Sequence, residues 1–191
     1  MTKKRIAVII SGSGSNYQAL IDACAAPDFP AEIALVLSNK KEAYGLTRAQ
    51  KAGLKTHIIS HKDFESREAF DAAMDAALKE HQVELICLAG FMRVLSAWFV
   101  EQWQGKMINI HPSLLPQYKG LHTHQRAIDA GEKEAGCTVH WVSAGVDEGE
   151  IIAQARVPVL TDDTAETLAA RVLEQEHKIY PAALKKIAQA T

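Results

Sequence analysis

An asparagine and a histidine stand two residues apart in the stretch MINIHPSLLPQYKG, at Asn109 and His111. The residues before them are typical of a buried strand, so both side chains should leave one face of the chain while Ile110 turns back into the core. An amide and an imidazole held side by side can donate hydrogen bonds to an oxygen that gains negative charge in a reaction. The pair therefore predicts a reactive centre at the end of this strand.

A carboxylate that could serve this pair is Asp147, in the polar loop VSAGVDEGEII. A nearby carboxylate favours the charged imidazolium, so Asp147 could hold His111 charged and oriented. Taken singly, each residue has an ordinary explanation, because a histidine after a strand often bonds a backbone group and Asp-Glu-Gly is a common turn sequence. Their combination with rigid prolines and several suitable loops favours catalysis.

The stretch SGSGSN, residues 11–16, has the composition of a phosphate-binding loop. Glycines allow a tight turn with inward N–H groups, and a following helix adds partial positive charge. The dinucleotide-binding motif is excluded because Tyr17 replaces its third glycine and the end of LVLSNKK offers no acid. A Walker loop is excluded because no Gly-Lys-Ser/Thr follows. The sequence leaves two readings: a site for one phosphate, or a plain glycine turn with Ser15 or Asn16 as helix cap.

Two further stretches could border a ligand. The loop CLAGFMRVLS, residues 87–96, carries large apolar side chains that could wall a pocket for a flat heterocycle or simply pack the next helix on the sheet. Glu176 falls inside the apolar face of the last helical stretch, where a carboxylate requires partners. A sugar diol would provide them, and so would a lysine.

The overall composition points to a small-molecule protein. The 191 residues are 48% hydrophobic and carry a formal net charge of −2, without a basic block that would suit nucleic acid or an anionic membrane. No apolar run reaches the ~18 residues of a membrane span, and the start MTKKRIAVIISGSG turns to glycine too early for a signal peptide, so we expect a cytoplasmic protein. Cys24, Cys87 and Cys137 read as core residues, and His122 and His124 as loop hydrogen-bonders, because no cluster completes a metal site.

Apolar strands alternate with helical stretches along the chain. This pattern predicts an α/β fold with a single open, mostly parallel twisted sheet and helices on both faces. Strands are expected at residues 5–10, 31–38, 56–59, 83–88, 106–110, 137–142 and 151–157, and helices at 16–25, 45–52, 66–81, 95–103, 123–130 and from 164. No linker or repeat divides the chain, so one domain over residues 1–191 is expected.

The last helix should begin with a capping box from Asp163 to Glu166, and Pro181 should bend or stop it. In open sheets of this kind the ligand lies beyond the carboxyl ends of the strands. We therefore expect the candidate loops to meet at that edge.

The segments SGSGSN, LAGFMRVLS, NIHPSLLPQYKGLHTH, VDEGEII and QEHKIYP together resemble the glycinamide ribonucleotide formyltransferases of purine biosynthesis, in order and spacing over nearly the whole chain. The resemblance implies a Rossmann-like formyltransferase fold and transfer of a formyl group from the co-substrate 10-formyltetrahydrofolate to the amine of 5'-phosphoribosylglycinamide, without a metal. The stretch around Asn109 and His111 is shared by other formyltetrahydrofolate enzymes and indicates the chemistry. GLHTH and the glycine loop narrow the choice of acceptor substrate to 5'-phosphoribosylglycinamide.

The resemblance also implies roles for individual residues. The catalytic trio falls on Asn109, His111 and Asp147, and the ribonucleotide contacts fall on Gly14, Ser15, Asn16 and Glu176. The folate contacts fall on Arg67, Met92, Arg93, Val94, Leu95, Asn109, Ser143, Ala144, Gly145, Val146 and Asp147. His140 matches a further position that lines the site. Ser13 replaces the family's usual asparagine, a mild change if backbone N–H groups hold the phosphate. The end at Thr191, earlier than in many relatives, puts in doubt only a terminal strand or association surface.

The implied chemistry agrees with the residue types. Amine attack on a formyl carbon creates a tetrahedral centre with an oxyanion, to which Asn109 and His111 donate hydrogen bonds. We expect Asp147 to keep His111 charged, and a relayed proton to help the folate nitrogen leave. Three alternatives stay open: a formyltetrahydrofolate hydrolase, which usually has an additional amino-terminal domain; a methionyl-tRNA formyltransferase, which needs an RNA-binding domain; and a non-catalytic phosphate-binding module, which leaves the trio unexplained.

Overall fold

The computed structural model describes residues 2–190, in which strands and helices alternate. The strands are β1 (Lys4–Ile10), β2 (Ala31–Ser38), β3 (Thr56–Ile58), β4 (Leu85–Leu88), β5 (Met107–His111), β6 (Glu134–Trp141) and β7 (Ile151–Pro158). The helices are α1 (Ser15–Cys24), α2 (Tyr44–Lys51), α3 (Arg67–Glu80), α4 (Ala97–Gln102), α5 (Thr123–Asp129) and α6 (Ala165–Gln189), with a short 3-10 turn at His61–Asp63.

All described strands form one sheet in the order β3-β2-β1-β4-β5-β6-β7. The pairings from β3 through β5 are parallel, whereas β6 is antiparallel to both β5 and β7. The predicted α/β fold with an open, mostly parallel sheet is confirmed. The reversal at β6 means that the loop after β6 leaves from the opposite edge to the loops after β1, β4 and β5.

Helices cover both faces of the sheet, as predicted. Alternate residues of β1 point to opposite sides, so that Ile6, Val8 and Ile10 pack with α1 and α6, while Ala7 and Ile9 pack with α3 and α4. A strand buried on both faces reads as a continuous apolar run, which is why β1 and β2 were identifiable from sequence.

We expected Pro181 to bend or stop the last helix, and the expectation that it stops the helix is wrong. Helix α6 continues from Ala165 through Pro181 to Gln189. Proline removes one N–H from the helix interior, but Tyr180 and Leu184 on either side are fully buried against the sheet. Tertiary packing of this face stabilises the helix more than the missing hydrogen bond weakens it.

The predicted capping box is displaced by one residue. Thr164 is the N-cap of α6, and its partner is Thr167, whose hydroxyl accepts from the Thr164 backbone N–H. Asp163 instead forms an ion pair with Arg171, which holds the pKa of that carboxyl far below its usual range. The helix start was thus located correctly with the wrong capping pair.

Candidate active site

His111 ends β5 and lies buried between two acceptor groups. Its Nδ1 is 3.4 Å from Asp147 Oδ2, and its Nε2 is 2.9 Å from the backbone oxygen of Tyr118. A neutral imidazole can donate from only one nitrogen, whereas the doubly protonated ring satisfies both acceptors. His111 Nε2 therefore carries the proton that it donates to the Tyr118 oxygen, and Nδ1 faces the carboxylate of Asp147.

Asn109 and His140 face each other across β5 and β6. The register pairs them directly, and strand alternation places Asn109 on the same face as His111. Asn109 is half-buried, while Ile110 between the two polar residues belongs to the apolar core. The arrangement inferred for MINIH is present, and the facing strand adds a second histidine to it.

His140 presents an unpaired ring nitrogen to the site. Its Nδ1 lies 2.9 Å from the Trp141 backbone oxygen and acts as the donor there, so Nε2 carries a lone pair. Nε2 is buried 3.7 Å from Asp147 Oδ1 and has no hydrogen-bond partner within residues 2–190. Burial is the main cause that lowers the pKa of His140, so the ring is neutral at neutral pH and can accept a proton or a hydrogen bond.

Asp147 reaches these histidines by an unexpected path. The loop after β6 begins beside the start of β5, where Val142 N–H donates to the Met107 oxygen, and it then extends along β5 to the His111 end. Asp147 has a φ of 53° in the left-handed region, and its Oδ2 accepts from the Gly120 N–H at 3.0 Å. Because β6 runs antiparallel to β5, this loop starts at the opposite edge of the sheet, yet Asp147 meets His111 at the carboxyl end of β5, as expected.

The proline-containing loop after β5 is fastened by hydroxyl groups. Thr138 Oγ1 donates to the Ser113 oxygen and accepts from Leu115 N–H, and Ser113 Oγ donates to the Gln117 oxygen. These bonds help to place the Tyr118 oxygen against His111. Thr138 was missed in the sequence because a threonine inside an apolar strand gives no signal of the loop it will meet.

The glycine loop leads directly into α1. Gly14, with a φ of 65°, is the N-cap and lacks a side-chain cap, so the reading of Ser15 or Asn16 as the cap is wrong. A cavity of about 310 Å³ lies over the loop, and its lining consists of Ser11, Gly12, Ser13, Gly14, Ser15, Asn16, Lys40, Ala89, Gly90 and Met92. The first turn of a helix with free N–H groups beside a cavity suits an anion.

Glu176 lies beside this loop, although it is 160 residues away in sequence from Asn16. Its side chain accepts a long hydrogen bond from Asn16 Nδ2, at 3.4 Å, and burial raises the pKa of the carboxyl. Asn16 Oδ1 is buried without a partner in the described part of the chain. The contact with Asn16, and not with a lysine, brings together two residues predicted to bind the ribonucleotide.

The loop after β4 joins the glycine loop through Ser11. The Ser11 hydroxyl donates to Asn39 Oδ1 at 2.6 Å and accepts from Met92 N–H at 3.0 Å. Leu95 packs on the core, whereas Met92 and Val94 are 66% and 59% exposed. Large apolar side chains that remain exposed suit a pocket wall better than a purely structural role.

The remaining residues of the predicted folate side lie around this loop and around the loop after β6. Arg93 stacks 5.6 Å from the centre of the Phe70 ring, and Arg67 is exposed at the first turn of α3. Ser143 and Ala144 line a cavity of about 420 Å³ that extends along α4 and does not include residues 92–95. Gly145 and Val146 continue the loop from there to Asp147.

The other polar candidates have local roles. His122 is the N-cap of α5 with a φ of 55°, and burial lowers the pKa of His124. Over residues 2–190, no group of His, Cys, Asp and Glu side chains is arranged to hold a metal, and no helix is long and apolar enough to cross a membrane.

Comparison with known proteins gives one consistent family. The model of the formyl transferase family matches residues 4–184. The chain is 49% identical over 182 residues to phosphoribosylglycinamide formyltransferase of Haemophilus influenzae, covering 95% of this chain and 86% of that protein. It is 57% identical to the solved structure of phosphoribosylglycinamide formyltransferase from Brucella melitensis, with a TM-score of 0.94 and coverage of 98% and 96% of the two chains.

Longer proteins match equally well over a small part of their length. The trifunctional purine biosynthetic protein adenosine-3 of Drosophila melanogaster is 55% identical over 191 residues, which are 99% of this chain and 14% of that protein. The human protein of the same name is 51% identical over 189 residues, and this chain spans 19% of it.

Proposed function

Because the chain belongs to the formyl transferase family, we propose that it transfers the formyl group of 10-formyltetrahydrofolate to the amine of 5'-phosphoribosylglycinamide, in purine biosynthesis. The observation that carries this proposal is buried His111, held between Asp147 and the Tyr118 oxygen next to Asn109. A single formyltransferase domain over residues 1–191 is part of the proposal.

The oxyanion of the tetrahedral intermediate requires two donors on one side of the formyl carbon. Asn109 offers its amide, and His111 offers Nδ1–H, because Nε2–H is engaged by Tyr118. The distance of 3.4 Å from Nδ1 to Asp147 is longer than a strong charged hydrogen bond, so this N–H remains available to the substrate while the carboxylate orients the ring. Donors that are fixed before the reaction stabilise the developing charge without reorganisation.

The proton balance of the transfer closes within the same group of residues. The amine nitrogen bonds to the formyl carbon and loses a proton, and the folate nitrogen gains a proton as its bond to that carbon breaks. Asp147 Oδ1 and the unpaired Nε2 of His140, 3.7 Å apart, are buried acceptors. Either of them can hold the proton after the amine loses it and before the folate nitrogen gains it. The transfer needs neither a covalent enzyme intermediate nor a cysteine.

The ribonucleotide is assigned to the glycine loop and Glu176. Backbone N–H groups at Gly14, Ser15 and Asn16 bind its phosphate, and the Glu176 carboxylate accepts from the ribose hydroxyls. This assignment is supported by the contact between Asn16 and Glu176 and by the unpaired Asn16 oxygen.

The folate is assigned to the two loops on the other side of Asn109. Arg67 and Arg93 supply cations for its carboxylates, residues 92–95 form an apolar wall, and the backbone of residues 143–147 meets its polar ring edge. The exposed apolar side chains of Met92 and Val94 support this assignment.

The proposal includes a cytoplasmic enzyme whose partners are these two small molecules, with neither nucleic acid nor membrane as partner. The net charge of −2 and the absence of a basic block in the sequence support it.

The deciding experiment incubates the protein with 10-formyltetrahydrofolate and follows release of deformylated folate with and without the ribonucleotide amine. We expect release that depends on the amine and yields the N-formyl product. Equal release without the amine would identify a hydrolase, and no release under either condition would leave a phosphate-binding module.

A further inference from the structure

The phosphate assigned to the glycine loop lacks a full positive charge within that loop. A phosphate monoester carries about −1.5 to −2 charges at neutral pH, and a helix N-terminus offers only about half a positive charge. Residues 11–16 contain neither lysine nor arginine. Given the proposed function, on which this inference rests, a cation from elsewhere in the fold should approach the phosphate.

Arg48 is close to the loop but is already engaged. Its Nε donates to the Ser13 oxygen at 2.8 Å, its Nη1 donates to Gln18 Oε1 at 3.1 Å, and its guanidinium lies 5.1 Å from the centre of the Tyr44 ring. These contacts fix the guanidinium against the carbonyl side of the loop. Arg48 therefore supports the loop's conformation, and Lys40 is the cation that lines the cavity.

Lys40 combines a fixed backbone with a free ammonium group. The buried Ser38 hydroxyl accepts from Lys40 N–H at 3.1 Å and donates to the Lys40 oxygen at 2.7 Å. The Lys40 side chain is exposed, and its Nζ makes no hydrogen bond or ion pair with any residue from 2 to 190. It lines the cavity over Ser11–Asn16, just beyond the carboxyl end of β2.

We propose that Lys40 binds the phosphate of the acceptor and selects phosphorylated over unphosphorylated acceptors. An ammonium on a flexible stem is a point charge that can follow a phosphate without a fixed geometry. Backbone N–H groups recognise the shape of the anion, and Lys40 supplies the charge that they lack. The stretch SNKK lacks the acid that a dinucleotide-binding site requires, and in this proposal its Lys40 binds the phosphate instead.

Lys41 offers a matched control. It is the next residue, it is also exposed, and it lines a second cleft, of about 410 Å³ beside residues 58–63, which Lys40 borders as well. It does not line the cavity over the glycine loop. Lys40→Met and Lys41→Met therefore change net charge equally, at adjacent positions, and only the first alters the proposed phosphate site.

The test measures both variants with two acceptors, the ribonucleotide and the same ribonucleoside without its phosphate. For Lys40→Met we expect the KM of the ribonucleotide to rise about tenfold or more, as for loss of a charged hydrogen bond, with little change in kcat or in the KM of the folate. The unphosphorylated acceptor should be used equally by Lys40→Met and the wild type. Lys41→Met should behave as the wild type with both acceptors.

Three results would overturn the proposal: an unchanged KM in Lys40→Met, an equal loss with both acceptors, or an equal loss in Lys41→Met. Each would leave the proposed function standing, because the wild type itself tests that function. Should the wild type transfer no formyl group, titration with inorganic phosphate still decides the role of Lys40. Backbone amide NMR signals of Gly14, Ser15 and Asn16 should then respond at lower phosphate concentration in the wild type than in Lys40→Met, and equal responses would contradict the proposal.

Discussion

His111 Nδ1 lies 3.4 Å from Asp147 Oδ2, although the two residues belong to segments that enter the site from opposite edges of the sheet. His111 is the last residue of β5, whereas the loop bearing Asp147 starts beside Met107, the first residue of β5. The Gly120 N–H fixes the carboxylate at the end of that path. The pair thus depends on the antiparallel course of β6 and on the loop after β5.

Asn109→Ala should lower kcat by about 10²- to 10³-fold, because an oxyanion donor acts mainly in the transition state. The KM values of both substrates should change little. Steady-state kinetics measure this, and a variant with half the wild-type kcat would remove Asn109 from the mechanism.

Asp147→Asn should strongly reduce kcat while preserving the fold, since asparagine tolerates the left-handed backbone found at this position. In the His111→Ala background the same substitution should cost much less, because groups that act as one unit are not additive. Glu148→Gln is the control, since Glu148 is exposed and pairs with Lys119. Fully additive losses in the double variant would contradict the proposed pair.

Glu176→Gln should raise the KM of the ribonucleotide more than that of the folate, because only the ribose meets this carboxylate in the proposed site. Glu174→Gln, an exposed position on the same helix, is the control. Equal effects on both substrates would make Glu176 a structural residue.

Glu176→Gln should also change the pH dependence of stability. Burial raises the pKa of Glu176 above its ordinary value of 4.5, so the charged carboxylate destabilises the fold. The contribution of Glu176 to the free energy of unfolding is therefore fully present below pH 4.5, and it is lost as the pH rises through the raised pKa of this carboxyl. The variant should match the wild type in Tm at acidic pH and exceed it above neutrality. A lower Tm of the variant at every pH would contradict this reasoning.

Thr138→Val should destabilise the protein by about 1–3 kcal/mol, because the buried Leu115 N–H and Ser113 oxygen lose their hydroxyl partner. Since the same loop holds the Tyr118 oxygen against His111, kcat should fall as well. Urea unfolding and kinetics measure the two effects. A variant with unchanged stability and kcat would show that the loop needs no such anchor.

Local patterns in the chain identified most of the elements and missed their ends where tertiary contacts decide. The strand predicted at residues 31–38 has those bounds, because residues 33–37 form a continuous apolar run within it. Strand β6 begins at Glu134, three residues before the predicted start, since an exposed charged residue at a strand end carries little apolar signal. Helix α4 begins at Ala97 and not at Leu95, because Ser96 caps it.

The sequence alone determined that Asn109 and His111 share one face, since alternation along a strand is a local property that requires no partner. It also located the glycine loop at a helix start, because the strand, the turn and the helix are consecutive in the chain. Only the tertiary structure decided that Asp147 meets His111, that Glu176 meets Asn16, and that Lys40 lines the glycine-loop cavity. These contacts join residues far apart in sequence, and their distances follow from strand order, strand direction and loop path, which no local pattern encodes.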